Sequence, residues 1–200
     1  MHYAIDTAER PTCGKLVPMS NALPLGLTVC RLNQVSDADI EALAALMVDV
    51  VEGGASIGFM LPIDAARAAA FWRRVAAGVA EGERVLFVAD DGAGIVGTVQ
   101  LVLEQPENQP HRADVAKMMV AHRARRRGIG AALMKAAEQE ARARGKSLLV
   151  LDTASADAER LYARLGWQPC GTIPGYALLP QGGPCDTTYF YRELTAKQGA

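Results

Sequence analysis

One short turn constrains this chain more than any other feature. The run Arg123-Ala-Arg-Arg-Arg-Gly-Ile-Gly130 follows an apolar segment at Ala113–Val120 and opens a stretch, Gly128–Arg144, with Ile129, Leu133, Ala136, Ala137 and Ala141 at helical spacing. A strand that turns directly into a helix leaves the first helical amides unpaired at the positive end of the dipole. Glycines let a ligand come close to that backbone and arginines add charge, so the turn predicts a phosphate site. A P-loop is excluded, because no Gly-Lys-Ser/Thr follows Gly128 or Gly130. A dinucleotide fingerprint fits Gly128 and Gly130 but meets Leu133 at its third glycine, although Asp152 lies near the acidic offset. That fingerprint also opens a strand–helix–strand unit, whereas this turn comes late, after a hairpin.

The chain's net charge of −1 is a cancellation. Ten basic and three acidic residues between Arg112 and Lys146 make that segment +7, so the other 165 residues sum to −8. Near-neutrality overall argues against a nucleic-acid coat. A chain that is 50% hydrophobic and 22% charged is not disordered, and no apolar run reaches membrane-helix length. Cys13, Cys30, Cys170 and Cys185 form no C-x-x-C and have no histidine at zinc spacing, so no metal is expected. Residues 1–25 carry three prolines and no period, and lack a leader's basic-then-apolar order; a poorly ordered extension and a cytoplasmic protein with reduced thiols are expected.

Along residues 26–195 the pattern predicts one mixed α/β domain. A strand at 27–32 precedes a helix at 37–51 that Ser36 caps, and Asp64 caps a second helix reaching about Ala80. Strands at 84–89 and 95–103 join through Asp91-Gly-Ala-Gly94. After the strand at 113–120 and the helix opened by the turn come a strand at 147–152 and a helix at 156–165, stopped by Gly166. Strands near 168–173 and 187–193 finish the order, separated by the Gly/Pro-rich stretch 180–184.

Arg125-Arg-Arg-Gly128-Ile-Gly130 resembles the pyrophosphate loop [Q/R]-x-x-G-x-[G/A] of the GNAT acetyltransferase superfamily. Ala158-Glu-Arg-Leu-Tyr162-Ala-Arg-Leu-Gly166-Trp167 resembles its second motif, and the element order from 27 to 194 is similar to the family's. Within the superfamily the chain looks most like the tabtoxin resistance acetyltransferases, through Gly53-Gly-Ala-Ser-Ile-Gly-Phe-Met60, Gln100-Leu101, Arg112-Ala-Asp-Val115, Leu151-Asp-Thr153 and Pro174-Gly-Tyr176. The resemblance implies a GNAT fold: a mixed, mostly antiparallel sheet flanked by helices and splayed at the strand that binds acetyl-CoA. It implies acetyl-CoA as co-substrate, held by Met118, Met119 and Val120, by Arg125, Arg126, Arg127, Gly128, Ile129, Gly130 and Ala131, and by Ser155, where many relatives carry Asn. A backbone N–H near Met119 is expected to polarise the acetyl carbonyl.

For proton transfer, Tyr162 is the family-type acid for the departing thiolate, against a plain core tyrosine. Asp114 and Asp152 are the candidate bases, each on an apolar strand where an unpaired carboxylate is costly. The bland alternatives are that Asp152 caps the next turn and that Asp114 pairs with Arg112 or Lys117. Ser56, Phe59, Gln100 and Tyr176 would wall the acceptor pocket. The expected reaction is direct acetyl transfer in a ternary complex to the amine of a small molecule, an amino acid or β-lactam-like antimetabolite. Acetylation of a protein N-terminus or lysine is the runner-up, and a nucleic-acid module using Arg123–Arg127 the remote rival, short of stacking aromatics. No membrane or nucleic-acid partner is expected, and a homodimer is compatible with the resemblance.

Overall fold

The computed structural model describes residues 15–16 and 26–194. Twelve elements follow in chain order: β1 (Lys15–Leu16), β2 (Thr28–Leu32), α1 (Asp37–Glu52), α2 (Ala65–Ala80), β3 (Arg84–Asp90), β4 (Ile95–Val102), β5 (Arg112–Val120), α3 (Ile129–Ala143), β6 (Leu148–Thr153), α4 (Ala156–Arg164), β7 (Gln168–Leu178) and β8 (Pro184–Glu193). A single 3₁₀ turn, His122–Ala124, leads into α3.

Local chemistry explains the helix boundaries. The Ser36 hydroxyl accepts from the Asp39 amide at 3.1 Å while the Ser36 amide donates to the Asp39 carboxylate at 2.9 Å, a reciprocal cap on α1. Asp64 accepts from the Arg67 amide at 2.7 Å and starts α2. Gly166, at φ +81°, ends α4 in the left-handed conformation that only glycine adopts cheaply.

The strands form one sheet in the order β1-β2-β3-β4-β5-β6-β8-β7, antiparallel at every junction except β5–β6. That parallel pair holds for three residues, Arg112, Ala113 and Asp114 against Leu148, Leu149 and Val150. Beyond it β5 stays with β4 and β6 stays with β8, so the sheet splays into a V. This is the mixed sheet, open at the expected strand, that the resemblance implies. Helix α3 lies on β4, where a Cβ on Gly97 would come within 3.0 Å of Ile129 and 3.1 Å of Leu133. Arg84 and Gln100 point by strand parity to the opposite face, where α2 packs its Gly78 on Arg84. Trp72, Phe87, Leu43, Leu101 and Leu133 are fully buried in the core between these layers.

Three expectations change. Lys15–Leu16 pairs antiparallel with Arg31 and Cys30 inside the expected N-terminal extension, whose other residues lie outside the described ones. β7 and β8 run to 168–178 and 184–193, longer than 168–173 and 187–193, so 180–184 is a hairpin turn closed by Leu179 N–H to Gly183 O at 2.9 Å. β7 carries both Pro169, inside the expected strand, and Pro174, just beyond its expected end, because it is an edge strand whose outer amides need no partner, and the register slips beside both. The basic segment, lastly, is not gathered round the arginine turn. Arg112, Arg142 and Arg144 lie away from the turn and pair with Asp114, Glu138 and Glu140, the three acidic residues already counted in the +7, and Arg123 pairs with Asp91 from outside the segment.

Candidate active site

The splay between β5 and β6 opens a cleft of about 1060 Å³, bounded by the start of α3, the start of α4 and the loop after α1. That is room for an extended cofactor and a small second molecule.

At one end Gly128 caps α3 at φ +79° with no side-chain hydrogen bond, and Arg126 before it sits at φ +62°. The first helical bond runs from Ala132 N–H to Gly128 O at 3.1 Å, so the amides of Ile129, Gly130 and Ala131 have no acceptor inside the helix. All three residues line the cleft, as do Arg125 and Arg126. Gly130 allows the close approach of α4, since a Cβ there would lie 2.9 Å from Leu161. Two cations that sequence reasoning missed, Arg160 and Arg164, line the same end from α4, one turn apart. Arg127 does not line it; it is exposed near Asp91, whose carboxyl is held below its usual range chiefly by the hydrogen bond from Arg123 and, least of all, by the Arg127 charge. The Ser155 hydroxyl lines the cleft but already accepts from the Ala158 amide at 3.4 Å as the cap of α4. An unpartnered helix start with Arg125, Arg126 and Arg164 at hand, and Arg160 beside them paired with Asp157, suits a pyrophosphate.

In the middle lie Met118, Met119 and Val120, whose strand has lost β6 as a neighbour. Ala121 N–H donates to Val96 O at 2.9 Å, and the register pairs Thr98 with Met119. Alternation along an antiparallel ladder then turns the Met119 amide toward β4 and the Val120 amide toward the open edge. The amide nearest Met119 that faces the open edge is therefore that of Val120.

At the other end the expected residues separate. Asp152, on β6, is exposed and lines the cleft, so the cost of an unpaired buried carboxylate does not apply to it. Nor does it cap the next turn, a task taken by Ser155 and by Thr153, whose hydroxyl accepts from the Ser155 amide at 3.1 Å. Tyr162 is 5% exposed, lines the cleft and packs its ring against Trp167 and Phe190. Burial, and after it the charge of Asp152, push its phenol well above the ordinary value of 10. Ser56 and Tyr176 also line the cleft. Ser56 donates to Leu178 O at 3.1 Å and Leu61 N–H to Pro180 O at 2.9 Å, so the β7–β8 hairpin is laced over the loop after α1. Tyr189 donates to the Tyr176 hydroxyl at 2.8 Å, which with burial pushes the Tyr189 phenol up to about 12.

Three expected residues lie elsewhere. Asp114 is held by Arg112 and accepts from Gln105 at 3.2 Å, outside the cleft, because it sits where β5 and β6 are still paired. Gln100 is fully buried and accepts from Arg84 at 3.2 Å, on the α2 face of the sheet. Phe59 packs edge-on against Phe71 at 5.4 Å under Arg67, pinning the loop to α2 without lining the cleft. Sequence reasoning missed Lys117, a half-buried cation in the cleft. Burial lowers its ammonium below lysine's ordinary value, and the charge of Asp152 opposes that shift. Among the described residues no cysteine lines the cleft, no His/Cys/Asp/Glu group could hold a metal, and no helix is long and apolar enough to cross a membrane.

A family model described as Acetyltransferase (GNAT) domain matches residues 82–169, from β3 through the start of β7. An uncharacterized N-acetyltransferase of the hisH-hisA intergenic region of Azospirillum brasilense is 33% identical over 128 residues, which is 63% of this chain and 74% of that protein. The chain belongs to the GNAT acetyltransferase family. It is an acyltransferase, an N-acetyltransferase dependent on acetyl-CoA. Among solved GNAT-like folds, the ribosomal-protein-alanine N-acetyltransferase of Brucella melitensis is similar at 25% identity and TM-score 0.68, over 80% of this chain and 98% of that one. The structure of yncA from Salmonella typhimurium, which holds acetyl-CoA, matches at 19% identity and TM-score 0.69 over 87% and 97%.

Proposed function

We propose that this GNAT acetyltransferase transfers acetyl to the amine of a small molecule, by direct attack in a ternary complex. The observation that carries the reading is the laced hairpin: bonds from Ser56 to Leu178 and from Leu61 to Pro180 roof the acceptor end, narrowing it to something smaller than a folded partner. Acetyl-CoA supplies the acetyl group as an activated thioester. The amides of residues 129–131 with Arg125, Arg126, Arg160 and Arg164 would hold its pyrophosphate, and the unpaired edge of β5 its pantetheine arm.

Asp152 faces the amine and takes the proton lost as the N–C bond forms, directly or through a water. Tyr162 keeps its phenolic proton at assay pH and gives it to the departing thiolate as the C–S bond breaks. The Val120 amide is placed to donate to the acetyl carbonyl. With no cysteine lining the cleft among the described residues, an acetyl-cysteine route has no nucleophile there. Asp114, engaged by Arg112 and Gln105, is a structural carboxylate in this reading.

The finer acceptor class, an amino acid or β-lactam-like antimetabolite, rests on the resemblance of the Gly53–Met60 loop and of Pro174-Gly-Tyr176; residues 53–58 and Tyr176 line the same cleft. A protein N-terminus is the second reading, supported by the likeness to the Brucella enzyme and by Ile173 and Leu178, exposed on the rim at 45% and 53%. The test is thiol release from acetyl-CoA with a panel of small amines against N-terminal peptides and a folded protein mixture. Turnover with small amines supports the proposal. Turnover confined to peptides or proteins overturns it in favour of the second reading, and salt-sensitive DNA binding with no stabilisation by acetyl-CoA overturns both.

A further inference from the structure

Lys117 is left over by that mechanism. It occupies a bulge: the β4–β5 register passes from Thr98–Met119 to Gln100–Ala116, so β5 carries an extra residue, and Lys117 takes φ +51° there. A lysine in the left-handed region is uncommon and strained, and the bulge turns this one out of the ladder and into the acceptor end of the cleft. Its ammonium lies 3.8 Å from where a Cβ on Gly58 would stand and 5.8 Å from the centre of the Phe71 ring. The side chain is thus roofed by the loop after α1 and floored by α2.

Its charge is not neutralised in place. Among the described residues no carboxylate comes within ion-pair distance of Lys117, and Arg84, bonded to Gln100, adds positive charge from behind. Asp152, the opposite charge that Lys117 feels across the cleft, lines the same end without touching it. A half-buried cation with the Phe71 ring on one side and no anionic partner within ion-pair distance has room for an anion from solution. A cation and an anion that face one small space without meeting are the complement of a molecule carrying both charges.

We infer that Lys117 is the specificity residue for an acceptor bearing a carboxylate beside its amine, as a free amino acid does, with the carboxylate on the Lys117 ammonium and the amine toward Asp152. The inference rests on the small-molecule reading above and names the acceptor's second group. It also gives direction: with the carboxylate held, only one end of the molecule reaches the thioester.

The experiment compares free amino acids with their methyl esters as acceptors, for the wild type and for Lys117→Met and Lys117→Arg, reading kcat and KM by thiol release. The wild type should prefer the free acid. Lys117→Met should raise KM for free amino acids on the order of tenfold or more, leave KM for the methyl esters nearly unchanged, and so erase the preference. Lys117→Arg should recover part of it. Stabilisation by acetyl-CoA, unchanged in both variants, checks that the fold is intact. A wild type that uses methyl esters as well as free acids, or a Lys117→Met enzyme that keeps the preference, overturns the role of Lys117 alone. Turnover confined to peptides or proteins overturns the small-molecule reading and this inference with it.

Discussion

Replacing Gly128 by alanine separates backbone strain from contact, because a Cβ there would meet nothing within 4 Å. The cost is conformational: at φ +79° an L-residue pays about 1–2 kcal/mol. The shrinking of the unfolded chain's freedom returns roughly 0.4–1 kcal/mol, leaving a net loss of about 1 kcal/mol. For a protein of this length that is a drop of about 2–4 °C in Tm. Relief of that strain turns the residue before the helix, and the amides of residues 129–131 lose their aim. Hydrogen bonds to a charged group are worth about 1.5–3 kcal/mol each, so acetyl-CoA affinity should fall on the order of tenfold or more. Acetyl-pantetheine lacks the pyrophosphate and serves as the control, and its weaker binding should not change. Titration calorimetry with both ligands, beside a thermal melt, reads all three quantities. Unchanged acetyl-CoA affinity with the expected loss in Tm, or an equal loss for both ligands, would refute the assignment of the phosphate to this turn.

Tyr162→Phe should lower turnover on the order of 10²-fold or more while acetyl-CoA affinity stays nearly intact, measured by steady-state kinetics and calorimetry; equal losses would make Tyr162 structural. The folded protein holds the Tyr162 proton more tightly than the unfolded chain does, so this contribution to stability is complete below pH 10 and is lost as pH rises above it. Melting curves from pH 8 to 11 should show the wild type losing stability faster than Tyr162→Phe; Tyr189, titrating in the same window, is common to both. Glu138 is buried, accepts from Trp167 Nε1 at 3.0 Å and lies 3.1 Å from Arg192 Nε. Glu138→Ala strands the Trp167 N–H and leaves the Arg192 guanidinium without its ion pair, and should cost about 3 kcal/mol in a urea melt, the bottom of the range for a broken buried pair because Arg192 is partly exposed.

The fold was legible where a residue type has a single local use. Ser36 and Asp64 start helices and Gly166 stops one because short-range hydrogen bonds and a positive φ decide those positions, whatever packs on them. The α3 stripe of Ile129, Leu133, Ala136, Ala137 and Ala141 is buried throughout, as its period implied. Strand ends were less legible: β7 runs five residues past its expected end and through Pro174, which an edge strand tolerates and a central strand does not. At the site, the arginine–glycine turn and the Tyr162 helix were visible because their spacing is local. Gln100 and Phe59 were misplaced because choosing the face of a strand or the turn of a loop requires tertiary register. Asp114 and Asp152 looked alike on apolar strands; what separates them is the end of β5–β6 pairing at Asp114 and Val150, a long-range event. Lys117 was hidden inside the basic run, and only the bulge beside it shows that its charge faces the acceptor.

The most direct measurement is the turnover of Asp152→Asn with a small amine accepted by the wild type. Asparagine keeps the shape and cannot take the proton. If Asp152 is the base, kcat/KM for the amine falls by roughly 10²–10⁴-fold while stabilisation by acetyl-CoA is unchanged. A variant that turns over within a few-fold of the wild type would contradict that role and return the proton to another group in the cleft.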